Sequence, residues 1–201
     1  MKILQVSVSI LLCSLLCVAQ AAGDPEAGKQ KSAVCAGCHG VDGNSSNPEW
    51  PKLSGQGEAY LFKQLQDFNN KDRENALMNA QVANLSEQDM HDLAAYYASQ
   101  KPTPGSTPPE FVELGQQVYR GGNIGTGLPA CMGCHSPTGA GNPRAVFPRL
   151  SGQHSKYVEN QLRGYRDRLR ANDPQGMMRK VAQRMTVEEL QAVAQYVAGL
   201  H

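Results

Sequence analysis

Beyond its first 21 residues this 201-residue sequence has no apolar run long enough to cross a membrane, no surplus of either charge and no spare cysteine. The first lack removes a transmembrane anchor from the body of the chain. The second argues against a nucleic-acid partner, which calls for a basic surplus: Lys and Arg number 19 against 18 Asp and Glu, and Lys2 lies in the N-terminal segment. Runs alternating between apolar and polar residues are missing too, so strands are not expected. Of six cysteines, Cys13 and Cys17 lie in the N-terminal apolar run and the other four fall in two short motifs, leaving none for a disulfide.

The N-terminal segment reads as a leader. Lys2 precedes an apolar run over 3–18, and Ala19-Gln20-Ala21 supplies a small-x-small cleavage pattern. Residues 1–21 are therefore expected to be a signal peptide removed after Ala21. The run is too short to span a bilayer, and the leucines before Cys13 and Cys17 do not suit lipidation. An exported protein follows, periplasmic in a Gram-negative host.

The chemistry sits in Cys35-Ala36-Gly37-Cys38-His39, which returns as Cys131-Met132-Gly133-Cys134-His135. C-x-x-C-H is the attachment signal of c-type haem. Two thiols a helical turn apart reach the two vinyl groups of one porphyrin, and the adjacent histidine offers a nitrogen to the iron. A single copy would equally suit a dithiol redox pair or half a zinc site. Two copies, each in its own repeat, point to two haem c groups on Cys35, Cys38, Cys131 and Cys134, with His39 and His135 as iron ligands.

The repeat runs further. Pro51-Lys52-Leu53-Ser54-Gly55-Gln56 returns as Pro148-Arg149-Leu150-Ser151-Gly152-Gln153. Tyr60, Gln64, Leu65 and Phe68 return as Tyr157, Gln161, Leu162 and Tyr165, and 86–98 matches 186–198. Four prolines within 101–109 make a stiff, extended connection. The predicted organisation is an N-terminal domain at 22–101, a Pro-rich linker at 102–109 and a C-terminal domain at 110–201. Each is a size that can fold alone, with haem adding apolar area to a small core.

Every segment reads as helix or turn-rich loop, so the fold class is all-α. A first helix is expected from Asp24 into the haem motif, with Ala27, Gly28, Lys31 and Val34 at helical spacing. Its counterpart covers 109–120, with Phe111, Leu114, Gly115 and Val118 on one face, and a glycine-rich insert follows at 121–127. Middle helices start near Glu58 and Ser155. The last pair start at Ser86 and Thr186, each with an acid three residues on, the pattern of a capping box.

A haem held by one histidine needs its other face accounted for. Met90 lies five residues after Leu85, and Leu190 five after Met185, a swap that a hydrophobic staple tolerates, so both methionines are expected in cores. Met78 precedes its cap Ser86 by eight residues, and Met178 precedes Thr186 by eight. The repeat thus selects Met78 and Met178 as sixth ligands, with Met177 as the alternative to Met178. His91, His154 and His201 have no partner in the other repeat and read as surface histidines, His154 being the one closest to a haem loop.

With its two C-x-x-C-H motifs, two P-[KR]-L-S-G-Q loops, Pro-rich linker and Leu200-His201 terminus, the chain resembles the dihaem cytochrome c4 family across about 180 residues. The resemblance implies two tandem cytochrome c-like domains related by a pseudo-twofold axis, with haem propionate edges facing each other. It implies His39 with Met78 and His135 with Met178 as axial pairs, and Pro51 and Pro148 as carbonyl acceptors for the ligand imidazoles. One departure is the short segment from Asn69 to Ala76. The family's role would be a periplasmic electron carrier from a bc-type quinol-oxidising complex towards a terminal oxidase, with small periplasmic carriers as further partners and room for loose contact with the membrane surface.

Two closed His/Met sites leave no place for a small-molecule substrate, so an enzyme is not expected. The alternative role is the dihaem subunit of a flavin-containing sulfide dehydrogenase or another periplasmic oxidoreductase. Charge divides unevenly along the chain: residues 22–104 carry 7 basic and 11 acidic side chains, and 105–201 carry 11 and 7.

Overall fold

A computed structural model describes residues 23–200, so the expected leader, its cleavage point and His201 lie outside the described residues. The first half contains α1 (Pro25–Lys31), α2 (Ala33–His39), α3 (Glu58–Asn69), α4 (Ala76–Val82) and α5 (Glu87–Ser99). The second contains α6 (Val112–Gly121), α7 (Met132–His135), α8 (Ser155–Arg166), α9 (Met177–Ala182) and α10 (Val187–Gly199), with 3₁₀ turns at Pro109–Phe111, Pro143–Ala145 and Pro174–Gly176. Among the described residues the only extended pairings are isolated bridges, Asn123 with Leu128 and Asn142 with Phe147. The all-α expectation holds.

Each half is organised by the crossing of its first and last helices. Asp24 caps α1 by accepting from Glu26 N and Ala27 N, and Pro25 takes the first position, where its missing N–H costs nothing. At the crossing with α5 the backbones approach so closely that a Cβ on Gly28 would lie 2.0 Å from Asp92 O. Lys31 braces the contact through Asp89 at 3.0 Å and Asp92 at 3.1 Å. In the second half α6 crosses α10 in the same manner, and a Cβ on Gly115 would lie 2.6 Å from Ala192 O. The capping boxes of α5 and α10 are both formed, on Ser86 with Asp89 and Thr186 with Glu189.

Three boundaries differ from expectation. The first predicted helix breaks at Ser32, whose hydroxyl donates to Lys29 O at 2.8 Å and competes with continuation of the helix. The chain turns there, and Val34 leaves the predicted face to stand 68% exposed. The helix predicted from 109 begins as a 3₁₀ turn. The glycine-rich insert closes as a tight turn in which Asn123 and Leu128 exchange both backbone hydrogen bonds at 2.9 Å.

The apolar cores are separate. One gathers Leu61, Leu93, Ala94, Tyr96 and Tyr97; the other gathers Val118, Tyr119, Leu128, Val158, Met185, Leu190, Val193 and Val197 among others. Met90 and Met185 are both buried, as the staple exchange predicts. A second exchange fills the space between first and last helices: Ser32 faces Tyr97 in one half, Tyr119 faces Val197 in the other, so one tyrosine is delivered from opposite sides.

Polar groups join the halves. The linker is pinned at both ends: Thr103 N donates to Asn44 Oδ1 at 2.8 Å, and Thr107 Oγ1 donates to Gln195 O and Tyr196 O at 3.1 Å. Gln56 Nε2 donates to Arg149 O at 3.0 Å while Arg149 N donates to Gln56 Oε1 at 2.7 Å. Gln153 Nε2 donates to Lys52 O at 2.9 Å while Lys52 N donates to Gln153 Oε1 at 2.8 Å. These reciprocal pairs are the signature of a twofold relation between repeats.

Candidate metal centres

Both C-x-x-C-H motifs are helical and end on the histidine. α2 stops at Gly40 with φ 80°, and α7 stops at Ser136 with φ 68°. In each motif the first cysteine is half-buried and the second exposed, and all four thiols are unpaired. Burial pushes the Cys35 thiol up and the Cys131 thiol up to about 11, so these two stay protonated at neutral pH until they are alkylated.

The histidines are buried, each 7% exposed. His39 Nδ1 lies 2.9 Å from Pro51 O, and His135 Nδ1 lies 2.9 Å from Pro148 O. A carbonyl only accepts, so Nδ1 carries the proton in both rings and Nε2 keeps its lone pair. No partner for either Nε2 exists among the described residues. Burial holds both imidazoles below the usual histidine range, against the opposing pull of the proline carbonyls. A neutral, oriented imidazole with an open Nε2 is what an iron ligand requires.

The surroundings fit a haem. Tyr97 Oη, beside Cys35, is the only fully buried side-chain polar atom without a hydrogen-bond partner among the described residues. A structural zinc wants four converging Cys or His ligands. Among the described residues no three of His, Cys, Asp and Glu converge as such a metal-holding group.

The methionines occupy matching places. Asn75 caps α4 by accepting from Met78 N at 3.0 Å, and Met78 is half-buried. On α9 Met178 is likewise half-buried, whereas Met177 is 42% exposed and matches Leu77, 68% exposed. The short segment before Met78 has a simple cause. Asn75 and Asn172 correspond, and the second repeat then carries three further residues in the turn that leads into Pro174–Gly176.

Two histidines need correction. His91 is half-buried rather than free at the surface, stacked on Phe62 with ring centroids 3.8 Å apart. His154 spans the two halves, with Nε2 2.8 Å from Ser45 O. Gln56 and Gln153 stood in the repeated motif without a role, and Arg73 and Arg170 were missed. The signal for the arginines was there: they share the 97-residue offset of Tyr60 and Tyr157.

The family model for cytochrome c matches residues 25–101 and again 112–201. Cytochrome c4 of Azotobacter vinelandii is 47% identical over 202 residues, covering 96% of each chain. The crystal structure of reduced recombinant cytochrome c4 from Pseudomonas stutzeri superposes with a TM-score of 0.88 at 45% identity, covering 90% of this chain and 100% of that one. A thiosulfate dehydrogenase electron acceptor of Thiomonas intermedia is 40% identical, covering 89% of this chain and 82% of its own. Matched along nearly its whole length and in both halves, the chain belongs to the cytochrome c4 family, as an electron carrier rather than an enzyme, binding two haem c groups through its two C-x-x-C-H motifs.

Proposed function

We propose that this protein is a periplasmic carrier that takes single electrons from a bc-type quinol-oxidising complex and passes them towards a terminal oxidase. The observation that carries the reading is the mutual grip of the loops at 51–56 and 148–153. Each holds a buried imidazole by its proline carbonyl, and each is locked to the other by Gln56 or Gln153. Two one-electron centres fixed in one small molecule suit a relay, since little reorganisation accompanies each transfer.

In this reading the axial pairs are His39 with Met78 and His135 with Met178, and Pro51 and Pro148 orient the imidazoles. The half-burial of Met178 beside an exposed Met177 supports the choice in the second repeat. Methionine ligation raises the potential and closes the iron to substrate, and the electron chemistry is the cofactor's own. The domains run over 22–101 and 110–201, joined by 102–109, after loss of residues 1–21. No helix of the described residues is long and apolar enough to cross a membrane.

A second reading is favoured by the relative from Thiomonas intermedia, named for accepting electrons from thiosulfate dehydrogenase. In that reading the donor to this chain is another periplasmic oxidoreductase rather than the bc complex. Stopped-flow reduction by purified bc complex and by thiosulfate dehydrogenase separates the two. Fast reduction by the bc complex, followed by oxidation by a terminal oxidase, is expected. Reduction by the dehydrogenase alone would replace the first reading with the second.

A further inference from the structure

Between the halves the repeats answer each other residue for residue. Arg73 and Arg170 each donate to both Gln64 Oε1 and Gln161 Oε1, at 2.8 to 2.9 Å. Around the two motif histidines the likeness stops. His39 and His135 share one restraint, a proline carbonyl 2.9 Å from Nδ1. His135 has two more. Gly141 N donates to His135 O at 2.9 Å, and the Phe147 ring lies beside the imidazole, with centroids 6.2 Å apart and planes tilted by 49°. Among the described residues no backbone N–H reaches His39 O, and no aromatic ring pairs with the His39 imidazole.

All three restraints on His135 come from one loop, 141–148, whose conformation its own sequence does not favour. Asn142 and Phe147 exchange both backbone hydrogen bonds, at 2.9 and 3.0 Å, and so close the loop tightly. Asn142 Oδ1 accepts from Ala145 N at 3.3 Å and caps the turn Pro143–Ala145. To complete this closure Val146 takes φ 57° and ψ 27°. The left-handed region crowds a β-branched side chain, so valine stands there only where its surroundings impose it. Two contacts do so. The turn rests on α3 of the other half, and Gly141 lies so close to the returning chain that a Cβ would fall 2.5 Å from Phe147 O. The first half has no counterpart. Between Gly40 and Pro51 only Gly40 and Gly43 have positive φ, and Trp50 stands in the place of Phe147.

We propose that Phe147, delivered by the left-handed turn at Val146, is a positioning residue that fixes the plane of the His135 imidazole at the second haem, a restraint the first haem lacks. Phe147 is joined directly to Pro148, so one turn places both the ring and the carbonyl acceptor. Together they oppose rotation of the imidazole about its Cβ–Cγ bond. Groups packed around a ligating imidazole set its orientation at the metal. The proposal rests on His135 being an iron ligand, as in the function proposed above. In a low-spin ferric haem the imidazole plane selects which porphyrin positions carry unpaired spin. The shifts of the haem methyl protons therefore read it, and they read each haem separately.

The test is proton NMR of the ferric holoprotein, wild type against Phe147→Leu, Phe147→Tyr, Val146→Gly and Val146→Pro, with each set of shifted haem methyl resonances assigned to its half. Phe147→Leu is expected to rearrange the methyl shifts of the second haem and leave the first set in place. Phe147→Tyr keeps the ring and is expected to retain the wild-type pattern. Glycine takes a left-handed conformation freely, so Val146→Gly should retain it as well. Proline is locked at a φ of about −65°, so Val146→Pro should rearrange the second set as Phe147→Leu does. A lower thermal midpoint for Phe147→Leu with both sets unmoved would reduce the ring to packing and overturn the proposal. So would equal movement of both sets, or a Phe147→Tyr pattern that matches Phe147→Leu. A wild type with only one set of shifted methyls would instead overturn the two-haem reading, so the two failures are told apart. Should Val146→Pro fail to fold, the two Phe147 variants still decide.

Discussion

Gln56 holds Arg149 by both of its backbone polar groups, donating to the carbonyl at 3.0 Å and accepting from the N–H at 2.7 Å. A primary amide imitates a peptide unit, so this side chain acts as one rung of a ladder between halves that share no strand. Glutamate is nearly isosteric but has no donor. Gln56→Glu leaves Arg149 O facing a carboxylate oxygen, at a cost of about 1–3 kcal/mol for the unsatisfied group. The expected result is a lower thermal midpoint and faster proteolysis within 102–109, with Gln153→Glu behaving alike because it breaks the symmetric pair with Lys52. Unchanged cleavage of the linker in both variants would show that the grip contributes nothing.

Much of this was legible in the residue order, because the repeat states each feature twice. The cysteines, the buried histidines of the two motifs, both capping boxes and the all-α class follow from local patterns of three to six residues. The interface was not legible. Gln56 and Arg149 are 93 positions apart, and nothing local to either distinguishes a clasp from a surface glutamine. Arg73 lies in an irregular segment after α3, where helical periodicity has no say, and only its 97-residue offset marked it. The break at Ser32 was missed since serine in a helical pattern continues or ends it depending on which carbonyl its hydroxyl meets.

The two methionine sites yield a discriminating substitution set. Met78→Ala and Met178→Ala should each remove about half of the weak red absorption that marks sulfur bound to ferric haem, and should lower one potential each. Met177→Ala should do neither, since that side chain is 42% exposed at the surface of α9. Absorption lost from Met177→Ala and retained in Met178→Ala would reassign the second ligand.

Gly28 and Gly115 occupy the two helix crossings, where a methyl group would fall 2.0 Å from Asp92 O and 2.6 Å from Ala192 O. Backbone cannot yield as a flexible side chain does, so the helices must separate. Gly28→Ala and Gly115→Ala should each destabilise by at least the 1–3 kcal/mol or so of ordinary overpacking, in spite of alanine's better helix propensity. Thermal unfolding of the holoprotein measures this; a stabilised variant would mean that the crossing is looser than described.

His154 makes the contact between halves sensitive to pH. Its Nε2 lies 2.8 Å from Ser45 O, and a carbonyl only accepts, so the proton of the neutral ring sits on Nε2. Ser45 Oγ, 3.0 Å away, is turned to Trp50 O, to which it donates at 2.6 Å. A second proton would have to go on Nδ1, which has no acceptor among the described residues. Burial holds this imidazole below the usual histidine range; the bond to Ser45 O opposes that, and the charge of Lys52 adds to it. The sign follows directly. Above about pH 6.5 the ring is neutral whether the halves are docked or apart, and it contributes no pH dependence. Below that the undocked ring takes up a proton first, so docking weakens as pH falls, by no more than about 1.4 kcal/mol per pH unit for one proton. The loss levels off once the docked ring is protonated as well. Glutamine can donate to Ser45 O and does not titrate, so His154→Gln should flatten the fall in thermal midpoint between about pH 7 and 5 while matching the wild type above it. NMR titration of the imidazole in the holoprotein supplies the independent reading, with a midpoint below that of a free histidine. Identical pH slopes for wild type and His154→Gln would remove His154 from any part in the response.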